Sequence, residues 1–162
     1  MKRIAVMLIG LVALAFSAAP SMAGTVTGSM PVTTNILPWC GLYLYTLDLG
    51  DYAGTAVSVT NDLYVKCTPD LPYNVSMDAG THYDGSWRRV SDGTYFAQYA
   101  ILKTGDGEWG DSDYANTYGW GSSLAGTGTG GYVDHTMTAY ILNDQAVPVG
   151  TYTDTVMVNV YF

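Results

Sequence analysis

The sequence predicts an all-β domain, a sandwich of immunoglobulin type, and three observations carry that prediction. Short runs alternate apolar and polar residues with a period of two. Clusters of Gly, Asp, Asn and Pro separate these runs at turn-like intervals. Apart from the first two dozen residues, no apolar pattern at helical spacing extends beyond two turns. Gly, Thr, Tyr and Val dominate there, and Glu occurs once.

Residues 1–23 stand apart from the fold. "MKR", an apolar run over residues 4–16 and then "SAAPSMAG" are the three parts of a secretory signal peptide, with cleavage expected after Ala23. The apolar run falls short of the roughly 20 residues that cross a bilayer. The remaining residues, 24–162, suit one domain with a single core.

The elements follow in order. Residues 25–36 place Val26, Gly28, Met30, Val32 and Ile36 on one parity, and Pro38 then breaks the run. Residues 42–49 and 56–67 come next, the latter with Leu63, Val65 and Cys67 on one face. Residues 73–79 align Tyr73, Val75, Met77 and Ala79; residues 95–102 follow. Residues 133–142 align Val133, Met137, Ala139 and Ile141, and residues 152–162 align Val156, Val158, Val160 and Phe162. Between the fifth and sixth runs lies a Gly-rich excursion, residues 103–131, too long for a simple hairpin loop.

Charge and cysteine content narrow the setting. Removing Lys2 and Arg3 leaves four basic residues against fourteen acidic ones and moves the formal charge from −8 to −10. That balance argues against nucleic acid as a partner. Two cysteines, Cys40 and Cys67, in a chain routed to an oxidising compartment predict a disulfide.

Residues with catalytic or ligating chemistry are sparse. His82 and His135 sit in no metal-spaced or triad-like cluster and read as loop or surface residues. No nucleophile elbow occurs, and no carboxylate pair is singled out, so the chain is not expected to be an enzyme or to hold a cofactor or metal. "DGEWGDSD" gathers Asp106, Glu108, Asp111 and Asp113 near Trp109, but its spacing departs from the calcium-loop pattern and it reads as a solvated loop. Trp109 reads as structural. Trp120 and Tyr118, beside Asp residues in the excursion, are a candidate surface contact for a sugar or a neighbouring molecule.

The strand at residues 25–36 raises the main question. If it folds back, it covers the apolar face of the terminal strand; if not, the domain lacks a strand and presents an open apolar groove. "TVTGSMPVTTNI" before a Cys, "LDLGDY", "LYVKCT", "YNVSMDAG", "RRVSDG", "YFAQYAILKTGDGEWGD", "AGTGTGG" and the terminal "AVPVGTYTDTVMVNVYF" span nearly all of residues 24–162 in order. Through them the chain resembles the spore coat protein U domain family, which includes subunits of archaic (Csu-type) chaperone-usher pili.

The resemblance implies an incomplete immunoglobulin-like β-sandwich, residues 37–162, completed by a donor strand from a neighbouring subunit. The segment 24–36 is the donor strand. Val26, Gly28, Met30 and Val32 would enter the groove while Pro31, of opposite parity, points away; Val156, Val158, Val160 and Phe162 would form the acceptor wall. It also implies passage through the periplasm to a fimbrium on the cell surface. The partners would be identical or related pilin subunits, a periplasmic chaperone and an outer-membrane usher, with a host or abiotic surface as target. Adhesion and biofilm formation would follow. Two other readings fit the same residues: a closed monomeric carbohydrate-binding β-sandwich, and a structural protein of a spore or outer coat.

Overall fold

The computed structural model describes residues 24–105, 107–113, 118 and 120–162; the expected signal peptide, Asp106 and Tyr114 lie outside them. The chain divides into two units, Met1–Asn35 and Ile36–Phe162. In the first, residues 24–35 carry no strand, and the side chains of Val26, Met30 and Val32 are 98, 83 and 84% exposed. The alternation expected to make a strand here specifies a shared face, but a strand also requires a ladder partner.

The second unit holds eight strands among the described residues and no helix: β1 (Cys40–Tyr43), β2 (Val57–Cys67), β3 (Pro72–Met77), β4 (Arg88–Ser91), β5 (Phe96–Lys103), β6 (Leu124–Thr127), β7 (Val133–Ile141) and β8 (Val158–Tyr161). A five-stranded antiparallel sheet runs β1-β2-β7-β5-β4, and a three-stranded one runs β6-β3-β8. The inward faces are those that alternation assigns: Leu63, Val65 and Cys67 from β2, Tyr73, Val75 and Met77 from β3, and Met137, Ala139 and Ile141 from β7 are all buried. Trp109 is buried with them and donates its indole N–H to the Val75 carbonyl at 2.8 Å, so the largest core side chain also ties the Gly-rich excursion to β3.

Cys40 and Cys67 face each other across β1 and β2 and are joined as a disulfide. The loop spans 27 residues, which on the chain-entropy account contributes roughly 3–4 kcal/mol.

Two strands lie where no run was expected. β4 begins at Arg88, which is fully buried. Its Nε donates to the Asp78 carbonyl at 2.9 Å, one Nη donates to the Met77 carbonyl at 3.1 Å, and the guanidinium stacks 4.0 Å over the Tyr118 ring. β6 comes from within the excursion, where Gly126 leaves room for the Tyr73 ring; a Cβ there would lie 2.4 Å from it.

His135 departs from its expected surface position. It is buried on β7, with Nε2 in a 2.8 Å hydrogen bond with the Tyr73 hydroxyl, and desolvation lowers its pKa from 6.5. A depressed folded pKa means the unfolded chain binds the proton more readily. The contribution is therefore complete above about pH 6.5 and is lost as pH falls through the lower folded value. Urea titrations between pH 7 and 5 are expected to show a smaller loss of stability for His135→Gln than for the wild type. An identical slope would mean that His135 titrates freely in the fold.

Candidate functional site

Between the two sheets the domain is open. Residues 44–54 leave β1 and form one wall of a groove; residues 145–158, leading into β8, form the other. The floor is the core itself: Met77, Val90, Ala97, Tyr99, Ile101, Met137 and Ile141. The cavity measures about 1310 Å³ and communicates with solvent. β8 lies at the edge of its sheet, paired only with β3 among the described strands. The floor side chains are themselves buried, but an empty groove above them forfeits the dispersion contacts that an occupant would supply.

Local chemistry builds each wall. On the first, beyond the end of β1, Asp48 Oδ1 accepts the Gly50 N–H at 2.9 Å, and Gly50 has φ +74°, so the chain turns within this wall. The alternation of residues 42–49 therefore continues past the sheet: the strand stops at Tyr43, and Leu47, Leu49 and Tyr52 pack on the core from the wall. On the second wall, Asp154 is the anchor. Its Oδ1 accepts from the Thr81 N–H (2.9 Å), the Thr81 hydroxyl (2.6 Å) and the His82 N–H (3.2 Å), while Oδ2 accepts from the Tyr99 hydroxyl at 2.7 Å. Desolvation first, then that bond, pushes the Tyr99 pKa far up, which keeps it a donor. Ser91 and Thr153 exchange two backbone hydrogen bonds of 2.9 Å, and Asp78 Oδ1 accepts the Met157 N–H at 2.9 Å. At one end the walls meet, where the Gln145 N–H donates to the Tyr52 hydroxyl at 2.8 Å.

The expected acceptor residues divide. Val156 and Val158 line the groove. Val160 packs on the core opposite Val75 and does not line it, while Phe162 is 59% exposed beyond the end of β8. The strand expected over residues 152–162 is shorter, since its ladder with β3 runs from Val158 to Tyr161. The wall at residues 44–54 was not anticipated as a groove element, although the apolar spacing of Leu47 and Leu49 was its signal.

The expected pairing of Trp120 with Tyr118 as a surface contact requires correction. Trp120 is exposed, but Tyr118 is 1% exposed. Its ring lies beneath Arg88, its hydroxyl donates to Glu108, and its N–H donates to Asp111 Oδ1 at 2.9 Å. A buried guanidinium needs an aromatic face and a nearby carboxylate, and Tyr118 and Glu108 supply them. Asp113 accepts from the Ser123 N–H and hydroxyl at 2.8 and 2.6 Å. Glu108, Asp111 and Asp113 thus tie the excursion together, and no group of three or more His, Cys, Asp or Glu among the described residues is placed to hold a metal ion.

The model of the Spore Coat Protein U domain family matches residues 26–159. Among solved structures, the chain is similar to one in the CsuC-CsuE chaperone-tip adhesion subunit pre-assembly complex from archaic chaperone-usher Csu pili of Acinetobacter baumannii. The identity is 25% and the TM-score 0.60, over 78% of this chain and 40% of that one. A weaker likeness, 11% identical with a TM-score of 0.37 over 75% of this chain and 40% of the other, is to a chaperone-tip adhesin complex of CFA/I fimbriae. This chain therefore spans less than half the length of either matched chain. No curated protein matches it significantly.

Proposed function

The chain belongs to the Spore Coat Protein U domain family, and from that premise we propose that it is a structural subunit of a surface fimbria, polymerised by donor-strand exchange. The observation that carries the proposal is the open groove floored by Met77, Tyr99, Ile101 and Met137. Its natural occupant is the segment 24–36 of another copy or of a related subunit. Val26, Met30 and Val32 are spaced to enter successive pockets, and their burial is worth roughly 5–9 kcal/mol at about 1.5–3 each. Gly28 falls between them, where the two backbones approach closely.

On this reading the role is structural, not catalytic. A periplasmic chaperone fills the groove before assembly, an outer-membrane usher receives the subunit, and the fibre at the cell surface supports adhesion and biofilm formation. Support for the chaperone step comes from the Csu chaperone-subunit complex, which the fold resembles.

The test uses cells that export the whole chain with its assembly partners. With Val26, Met30 and Val32 all replaced by Asp, subunits should still accumulate in the periplasm but surface fibres should disappear, as seen by electron microscopy. Fibres at wild-type density would sink the donor assignment.

A further inference from the structure

Beside the groove, and sharing Tyr45 with its wall, four tyrosines line a second, smaller cavity that is open to solvent. Tyr43 on β1, Tyr45 just beyond it, Tyr64 on β2 and Tyr132 preceding β7 surround about 270 Å³. Tyr43 and Tyr64 are direct cross-strand partners. The Tyr43 and Tyr132 rings are 5.0 Å apart at 73°, and the Tyr45 and Tyr64 rings 6.0 Å apart at 87°. Tyr45 and Tyr132 are more than half exposed, so this is no part of the core.

We propose that this aromatic box is a binding site for a methylated ammonium group, such as the quaternary ammonium of choline. Three observations favour a cation. Within the pairs Tyr43–Tyr132 and Tyr45–Tyr64 the rings stand edge to face, so the four do not form the single flat platform on which a sugar stacks. A cation already lies against the box: Lys66 Nζ is 5.3 Å from the centre of the Tyr132 ring. A carboxylate is adjacent, since Asp134 on β7 pairs directly with Tyr64 on β2 and so shares its face of the sheet. The chain's formal charge of −8 adds a field that draws cations and repels anions. The cavity is below the range typical of drug-sized ligands and suits a compact head group.

Lys66 makes the proposal sharp, because it competes for the same ring face. Removing its charge should tighten binding of an added cation and weaken binding of an anion.

The experiment titrates the purified protein at constant ionic strength with choline chloride and, separately, with its uncharged isostere 3,3-dimethylbutan-1-ol, following tyrosine ring resonances. Choline is expected to bind about tenfold more tightly than the isostere, the size a partly desolvated cation-π contact gives. Tyr132→Leu and Tyr64→Leu should each abolish saturation without moving the thermal midpoint by more than a few degrees, and Lys66→Gln should raise choline affinity severalfold. Equal binding of the isostere would reduce the box to an apolar pocket and overturn the proposal. So would the absence of choline saturation, weaker choline binding by Lys66→Gln, or a response of the same resonances to glucose but not to choline.

Discussion

Deleting residues 24–36 is expected to leave a domain that melts at low temperature and self-associates. Restoring the same residues on a flexible linker after Phe162 is expected to give a monomer that melts at least 10 °C higher. The groove explains the first outcome: without an occupant, Met77, Tyr99, Ile101 and Met137 line a cavity of about 1310 Å³ that reaches solvent. The apolar residues of the segment explain the second. Burial of Val26, Met30 and Val32 offers roughly 5–9 kcal/mol. Ordering the segment costs about 1–2 kcal/mol per residue, so the side chains act together with a new backbone ladder of roughly 1 kcal/mol per hydrogen bond. A net gain of about 3 kcal/mol corresponds to a shift of roughly 10 °C for a domain of this size. A matched version whose relocated copy carries Asp at positions 26, 30 and 32 should melt like the truncated chain. Calorimetry and size-exclusion chromatography read both quantities. If the truncated chain is already monomeric and melts with the relocated version, the groove needs no strand and the fimbrial proposal fails.

What could be read from residue order and what could not divide along a physical line. Alternation located β2, β3, β5 and β7 closely because each is a half-buried strand whose face the pattern reports directly. It overran β1 and β8, since the pattern names the face that a side chain shares and says nothing of where the ladder partner begins. Leu47 and Leu49 stay apolar after the chain has left the sheet because they pack on the core from a groove wall. β4 was invisible for the opposite reason: a buried arginine held by two carbonyls and an aromatic ring looks polar in a sequence. The errors at Tyr118 and His135 have the same origin. Each satisfies its polar atoms through residues distant in sequence, Arg88 and Glu108 for Tyr118 and Tyr73 for His135. The shared face of Val156 and Val158 was legible from alternation, but the cavity they line has an opposite wall that depends on a turn at Asp48 and Gly50, which only the fold relates to them.

Asp154→Ala is expected to be among the most damaging single substitutions in the domain, costing about 3–5 kcal/mol, because it removes a buried carboxylate that four donors share and that also lies 3.1 Å from His82 Nδ1. Its side chain is 3% exposed, and it gathers Thr81, His82 and Tyr99 onto the segment that forms the groove wall. Loss of the carboxylate strands the Tyr99 hydroxyl in the interior and releases the wall from the loop at Gly80. That loop is shaped for it: Gly80 has φ +77°, and a Cβ there would lie 2.2 Å from Asp154 Oδ2. Asp154→Asn keeps an acceptor for Thr81 and His82 but turns its amide N–H₂ toward the Tyr99 hydroxyl, so it should cost about half as much. Tyr99→Phe, which deletes one donor and leaves the other three, should cost about 1–2 kcal/mol. Because the same wall carries Val156 and Val158, the alanine variant should also bind an added peptide of residues 24–36 more weakly than the wild type does. Urea melts and peptide titration separate the two effects. A loss below about 1 kcal/mol for Asp154→Ala would mean the wall is held by its backbone bonds to Ser91 and Asp78, and that the carboxylate is dispensable.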